Sequence, residues 1–130
     1  MAAQWDLPDG GDYEAPYARH ALPASLVRAL GWLEGRLDEP IELAPLAAAA
    51  GVRPHTLEAH FKLYLGTTPL GWVRRTRLAR ARQQLLAAGE DANVTAVAGA
   101  NGFSQLGRFA AQYRRQFGEL PSQTLSAARR

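Results

Sequence analysis

The chain repeats itself. Shifted by 51 residues, Leu46-Ala47 falls on Val97-Ala98 and Gly51-Val52 falls on Gly102-Phe103. Shifted by 52, Leu57, Phe61 and Leu65 fall on Phe109, Tyr113 and Phe117, Gly66 falls on Gly118, and Pro69 on Pro121. The register changes by one residue between the turn and the next helix, where an insertion costs least. Each copy has the same grammar. A short helix carries an apolar residue then Ala, Gly follows four residues after that Ala, and a second helix places apolar residues at i, i+4 and i+8. This grammar predicts a helix-turn-helix. The Ala must be small because the second helix crosses close to it. The Gly can take a positive φ, which a Cβ would resist. Val52 and Phe103 fill the angle between the helices, and the apolar row seats the second helix on the core. The other face of that helix is left free to enter a groove. A single unit of this kind could equally be a hairpin used only for packing. Two matched copies favour the reader over the hairpin.

The rest of the chain fits an all-α fold, since no stretch alternates with period two. About seven helices are expected, forming two helix-turn-helix subdomains joined by a long linker helix. The first helix starts at Pro23 or Ser25, carries Leu26, Leu30, Leu33 and Leu37 on one face, and is ended by Pro40. Helices over residues 43–50 and 54–65 make the first helix-turn-helix. A linker helix runs from Pro69 or Leu70 to about Ala88, with Leu78, Ala81, Leu85 and Leu86 inward. Arg74, Arg75, Arg77, Arg80 and Arg82 are expected to be largely solvated or near phosphate. The second helix-turn-helix covers about residues 95–118, its second helix starting at Ser104, and Pro121 opens a terminal helix. A linker of about nineteen residues gives about 28 Å of helix, against ~34 Å between successive major-groove faces on one side of B-DNA. Residues 1–22 read as a tail or interdomain linker, partly disordered: Pro8, Gly10, Gly11 and Pro16 break any period, and four acids solvate it. Trp5, Tyr13 and Tyr17 are unusual there and would pack back on the domain or on something outside the chain.

Charge is segregated. Residues 1–51 carry three Arg against eight acids, net −5, whereas residues 52–130 carry eleven Arg and Lys62 against four acids, net +8. A basic stretch of this kind is the footprint of a polyanion binder, although a solvated basic surface would look the same. With no Cys in 130 residues, disulfides, cysteine-ligated zinc and cysteine nucleophiles are excluded. The three His (20, 55 and 60) give no triad, and His55 and His60 stand five apart rather than at the four of a helical metal pair. No catalytic residue, metal or cofactor is expected, so the chain does not read as an enzyme. The longest apolar run, Leu43 to Val52, is about half of what a membrane span needs. With no signal-peptide pattern at the start, the expected location is the cytoplasm, at the nucleoid, with no membrane partner.

At this point the residues resemble the C-terminal DNA-binding domain of the AraC/XylS family of bacterial transcription regulators, over residues 23–127. The resemblance is carried by Leu46-Ala47 with Gly51-Val52, then Leu57, Phe61-Lys62, Leu65-Gly66 and Thr68-Pro69-Leu70. It continues in Arg77-Leu78, Ala81 and Leu85-Leu86. The densest block is Asn101-Gly102-Phe103-Ser104, Phe109, Tyr113-Arg114-Arg115, Phe117-Gly118 and Pro121-Ser122. It implies seven helices and a function as a sequence-specific transcription regulator, reading two successive major-groove segments of double-stranded DNA with two recognition helices. The first would expose Arg53, His55, Thr56, Glu58, Ala59 and Lys62. The second would expose Ser104, Gln105, Gly107, Arg108, Ala111, Gln112 and Arg115. Arg and Gln suit base edges; Lys62, Arg114 and Arg115 suit phosphates.

Some positions depart from the family pattern. Ala59 and Ala111 stand where the family usually has Arg, at a cost of about two to four decades in specific binding if nothing compensates. Arg53 replaces a helix-capping Ser, whereas Ser104 keeps the cap in the second unit. His60 replaces an apolar residue and is expected to be a partly buried packing residue. The segment over residues 16–23 is similar to linkers that follow an N-terminal sensor domain, which is absent here. The chain is then either a fragment or a stand-alone regulator of the MarA/SoxS kind. The competing reading is a protein-interaction module, or a weak and largely non-specific DNA binder, that docks on RNA polymerase or on a separate sensor domain.

Overall fold

A computed structural model describes residues 21–130 of the chain. The described residues form seven helices and no strand: α1 (Ala24–Leu33), α2 (Leu43–Ala50), α3 (Pro54–Leu65), α4 (Pro69–Leu86), α5 (Val94–Ala100), α6 (Leu106–Phe117) and α7 (Pro121–Ala128). The all-α expectation holds. What was expected of Trp5, Tyr13, Tyr17 and the tail up to His20 lies outside the described residues. Two compact units meet within α4, after Arg74.

In the first unit, α1, α2 and α3 bury Leu26, Leu30, Leu33, Leu46, Leu57 and Phe61 almost completely, and Trp72 of α4 meets Phe61 edge-on at 6.4 Å. Complete burial of each such side chain stabilises by about 1.5–3 kcal/mol. The first helix is shorter than its leucine spacing suggests. It stops at Leu33, and Arg36 and Glu39 close two tight turns onto the carbonyls of Leu33 and Arg36, at 2.9 and 3.0 Å. Gly31 and Gly35 weaken this stretch as a helix by about 1 kcal/mol each relative to Ala. Arg36 supplies the stop: its Nη1 donates to Trp32 O at 2.8 Å while the guanidinium lies 4.6 Å over the Trp32 ring. Leu37 is buried all the same, from outside the helix. Pro23, not Ser25, is the residue flanking the helix start. Ser25 instead faces inward and shares a 2.6 Å hydrogen bond with His60 Nδ1. His60 is half-buried, as expected, but it acts as a polar tie between α1 and α3 rather than as an apolar filler.

The second unit gathers Leu78, Ala81, Leu85, Val97, Ala98, Phe109, Tyr113 and Leu125 into its own core. An aromatic ladder runs along α6: Phe103 to Phe109 at 4.7 Å, Phe109 to Tyr113 at 5.7 Å, and Tyr113 to Phe117 at 4.7 Å. Each step adds about 0.5–1.5 kcal/mol beyond the area it buries. Leu86 is 44% exposed and does not join the inner face. The buried stripe Leu78, Ala81, Leu85 advances by three and then four residues, and Leu86 is a further 100° around the axis. Arg74 and Arg80 are exposed as expected, but Arg75, Arg77 and Arg82 are half-buried. Arg82 lies 5.3 Å over the Phe117 ring, where its stem and guanidinium cover the aromatic ladder.

The turns are the same in both units. In the first, Gly51 has φ +76°, its N–H donates to Ala48 O at 3.1 Å, and Val52 N–H reaches back to Ala47 O at 3.2 Å. In the second, Gly102 has φ +86°, its N–H donates to Gly99 O at 3.1 Å, and Phe103 N–H reaches Ala98 O at 2.9 Å. This is a Schellman closure, with one bond across six residues and one across four, and it needs a left-handed residue at its corner. Ala47 and Ala98 are each at most 1% exposed. They are the accepting ends of the long bonds and the small residues at the helix crossing. Arg28 reinforces the first turn by donating from Nε and Nη2 to Ala50 O at 2.9 and 2.7 Å.

A left-handed Ala costs about 1–2 kcal/mol. A Cβ on Gly51 would also stand 3.2 Å from Arg28 Nη2. Gly51→Ala and Gly102→Ala should each lower stability by that amount, read as a lower urea midpoint with the slope unchanged. Gly35→Ala, whose Cβ would meet nothing within 4 Å, should not lower it.

Candidate nucleic-acid interface

Each turn delivers a helix that is buried along one row and open along the opposite one. On α3 the inner row is Leu57, Phe61 and Leu65; on α6 it is Phe109 and Tyr113, with Phe117 half-buried. Arg53 flanks α3 in extended conformation at φ −72°, and Pro54 takes the first helical position, where its missing N–H is no loss. The first helical bond runs from Leu57 N–H to Arg53 O at 3.0 Å. The matching bond in the second unit runs from Phe109 N–H to Gln105 O, also at 3.0 Å. Arg53 and Gln105 are therefore equivalent, and Ser104 is the extra residue that changes the repeat from 51 to 52. It corrects an expectation: Ser104 does not cap α6. The helix starts at Leu106, one residue too late for the Ser104 hydroxyl to cap it, and no side chain caps it at Gln105.

Of the residues expected on the first outward face, Arg53, His55, Ala59 and Lys62 are exposed, whereas Thr56 and Glu58 are half-buried. On the second, Ser104, Gln105, Gly107, Arg108, Ala111 and Arg115 are exposed, and Gln112 is half-buried. The half-buried three lie at the margins of the faces, about 60–100° from the central Ala59 and Ala111. The reading of the sequence overlooked Leu63, 47% exposed on α3, and Leu106, 45% exposed at the start of α6. Leu63 was findable, since it stands one turn beyond Ala59 and two residues, about 200° around the helix, from Phe61 and Leu65.

The two faces differ in charge. Arg53 and Lys62 oppose Glu58 on the first, while Arg108, Arg114 and Arg115 stand without an acid on α6. Lys62, Arg114 and Arg115 lie in the last turns of their helices, where cations also complement the helix dipole. The side chains could thus hold phosphates from the C-terminal ends of the helices and meet base edges from their N-terminal halves. Among the described residues no cluster of His, Cys, Asp or Glu could hold a metal ion, and no helix is long and apolar enough to cross a membrane.

Behind α6, the buried Tyr113 hydroxyl donates to Thr124 Oγ1 at 2.7 Å, and Thr124 donates in turn to Glu119 Oε2. Asn101, 1% exposed, ties the second turn to α4 and α5 by donating from Nδ2 to Gln84 Oε1 and to Val97 O, both at 2.8 Å. These bonds fix the helix from behind and leave its outward face open.

Two outward helices, each seated by an identical turn, define a tandem helix-turn-helix domain. Residues 46–127 match the family model described as a helix-turn-helix domain. The chain is 37% identical over 106 residues to the probable thc operon regulatory protein of Rhodococcus erythropolis, covering 81% of this chain and 32% of that protein. It is 39% identical over 100 residues to the XylDLEGF operon transcriptional activator 2 of Pseudomonas putida, covering 76% of this chain and 64% of that one. It thus spans from about a third to under two thirds of these two relatives. Among solved structures, a probable AraC family transcriptional regulator from Rhodopseudomonas palustris superposes with a TM-score of 0.74 at 33% identity, over 82% of this chain and 98% of that one. The DNA-binding domain of AdpA, solved in complex with a target DNA, superposes with a TM-score of 0.73 at 29% identity, over 82% of this chain and 95% of that one. The chain belongs to the AraC/XylS family.

Burial raises the Tyr113 hydroxyl above its ordinary 10.0, against the lowering effect of the Thr124 hydrogen bond. A raised folded value means that its contribution is complete below pH 10 and is lost as pH rises through the folded value. Tyr113→Phe should cost about 1 kcal/mol near neutrality. It should also reduce the loss of stability between about pH 9 and about pH 11, read from urea midpoints at the two values.

Proposed function

We propose that this chain is the DNA-reading part of a transcription regulator, and that α3 and α6 enter successive major-groove segments of one asymmetric double-stranded site. The observation that carries the reading is the repeated turn. It leaves one row of each helix buried and the opposite row, with its cations, exposed. Support comes from the operon regulators among the relatives and from the AdpA domain with its target DNA. The reading domain is taken to be residues 23–127.

The residues divide by chemistry. Gln105 and Arg108, at the start of α6, face bases, since recognition helices contact base edges from their N-terminal residues. Arg53, His55 and Thr56 are their counterparts on α3. Lys62, Arg114 and Arg115 hold phosphates. Glu58, half-buried at the margin, can accept from a cytosine amino group, and Gln112, at the matching margin of α6, can reach a base edge. The role is binding rather than catalysis, at the nucleoid. A sensor domain outside this chain and RNA polymerase are the protein partners that fit a regulator of this family.

Each phosphate contact removed should lower the slope of log K against log salt by about 0.9. Lys62→Ala and Arg115→Ala are each expected to do so in fluorescence-anisotropy titrations at several salt concentrations. An unchanged slope would reject the phosphate role. Joint replacement of Gln105 and Arg108 by Ala should relax base preference in one half of the selected site while leaving binding to random duplex nearly unchanged. Equal losses on both duplexes would assign these two residues to the backbone instead.

A further inference from the structure

The middle residue of each outward face, Ala59 on α3 and Ala111 on α6, carries no hydrogen-bonding side chain. On α3, His55, Ala59 and Leu63 follow one another at one-turn spacing, all exposed, and Leu63 is 47% exposed. The matching residues on α6 are Gly107, Ala111 and Arg115, also all exposed. A Cβ built on Gly107 would meet nothing within 4 Å, so the space above this part of α6 is open. Ala59 and Ala111 are the middle residues, opposite the buried rows. Longer side chains flank each one at ~60° on either side: Lys62 and Thr56 around Ala59, Arg114 and Arg108 around Ala111. Each face is therefore a methyl group between two arms that can donate.

Such a face has a definite complement in a major groove. Thymine presents a C5 methyl there, whereas cytosine presents an amino donor, and guanine and adenine present acceptors or a donor with an acceptor. An alanine pressed on any of those polar edges would strip water from it and return no hydrogen bond. Pressed on a thymine methyl, it removes apolar surface from water on both sides. Basic residues beside the methyl group supply the charge complement to the phosphates, and a side chain as short as Ala lets the helix approach closely. On α3, Leu63 lengthens the apolar strip by one turn.

We propose that Ala59, with Leu63, and Ala111 are specificity-determining residues that recognise thymine through its 5-methyl group, one contact from each helix. This rests on the DNA-reading function proposed above. The test uses a duplex selected by the protein itself from a random pool. It is resynthesised with deoxyuridine in place of thymine, one position at a time, which removes a methyl group and keeps every hydrogen-bonding atom. At least one position under each helix should then bind about fourfold more weakly, the value of one buried methyl-sized group. Ala59→Arg and Ala111→Arg, whose new side chains would point to solvent in the free protein, should each abolish the penalty at one of those positions and move the preference there to guanine. Equal binding of thymine and uracil duplexes would overturn the inference and leave the DNA-reading function standing. Penalties that neither substitution moves would overturn the assignment to these residues. Failure to bind any selected duplex would overturn the DNA-reading function and the inference with it.

Discussion

A backbone hydrogen bond across six residues, closed at a left-handed glycine, sets how each half of this domain works. Val52 donates to Ala47 and Phe103 donates to Ala98, and in both cases the chain must turn through positive φ at Gly51 or Gly102. The turn ends one helix and aims the next at a fixed angle across it. That crossing leaves no room beside the accepting residue, which is why Ala stands there twice and is buried twice. It also decides which row of the second helix meets the core. The outward row is a consequence of the turn, and the proposed DNA-reading function uses what the turn leaves exposed.

The two halves reach the same geometry with different chemistry. The first is held mainly by aliphatic side chains from α1, α2 and α3, with the Ser25–His60 bond as a polar tie. The second is held by an aromatic ladder and by the hydrogen-bonded chain Tyr113–Thr124–Glu119. Their outward faces differ as well. Three Arg on α6 with no acid among them suit a strong, salt-dependent hold on a polyanion. The face of α3, with Glu58 at its margin and Leu63 near its centre, is close to neutral and suits discrimination more than attraction.

The repeat was legible because periodic burial and a positive-φ glycine leave direct marks on sequence: Gly51 with Gly102, and Phe61 with Tyr113, could be paired before any coordinates. What was not legible depends on tertiary closure. Leu37 continues the leucine spacing of α1, yet the helix ends at Leu33 because Arg36 turns back onto the Trp32 carbonyl. Ser104 resembles a cap, but the connection from the second turn to its helix contains one residue more than in the first unit, so the helix starts beyond its reach. Asn93, whose Oδ1 accepts the Ala96 N–H at 2.7 Å, caps α5 at Val94, one residue before the start of about 95 that the sequence suggests. Leu86 belonged to an apolar pattern but missed the stripe by one residue. Of the interface, the exposed residues were mostly foreseen, since they are what remains when the inner row is removed. Leu63 was overlooked because an apolar residue in a helix suggests a core position.

The central claim is that two outward helices read one duplex together. Selection of bound sequences from a random duplex pool tests it most directly. The account predicts a motif with two informative segments separated by about one helical turn. A single informative segment, or a pool that stays random while the protein still binds it, would contradict it.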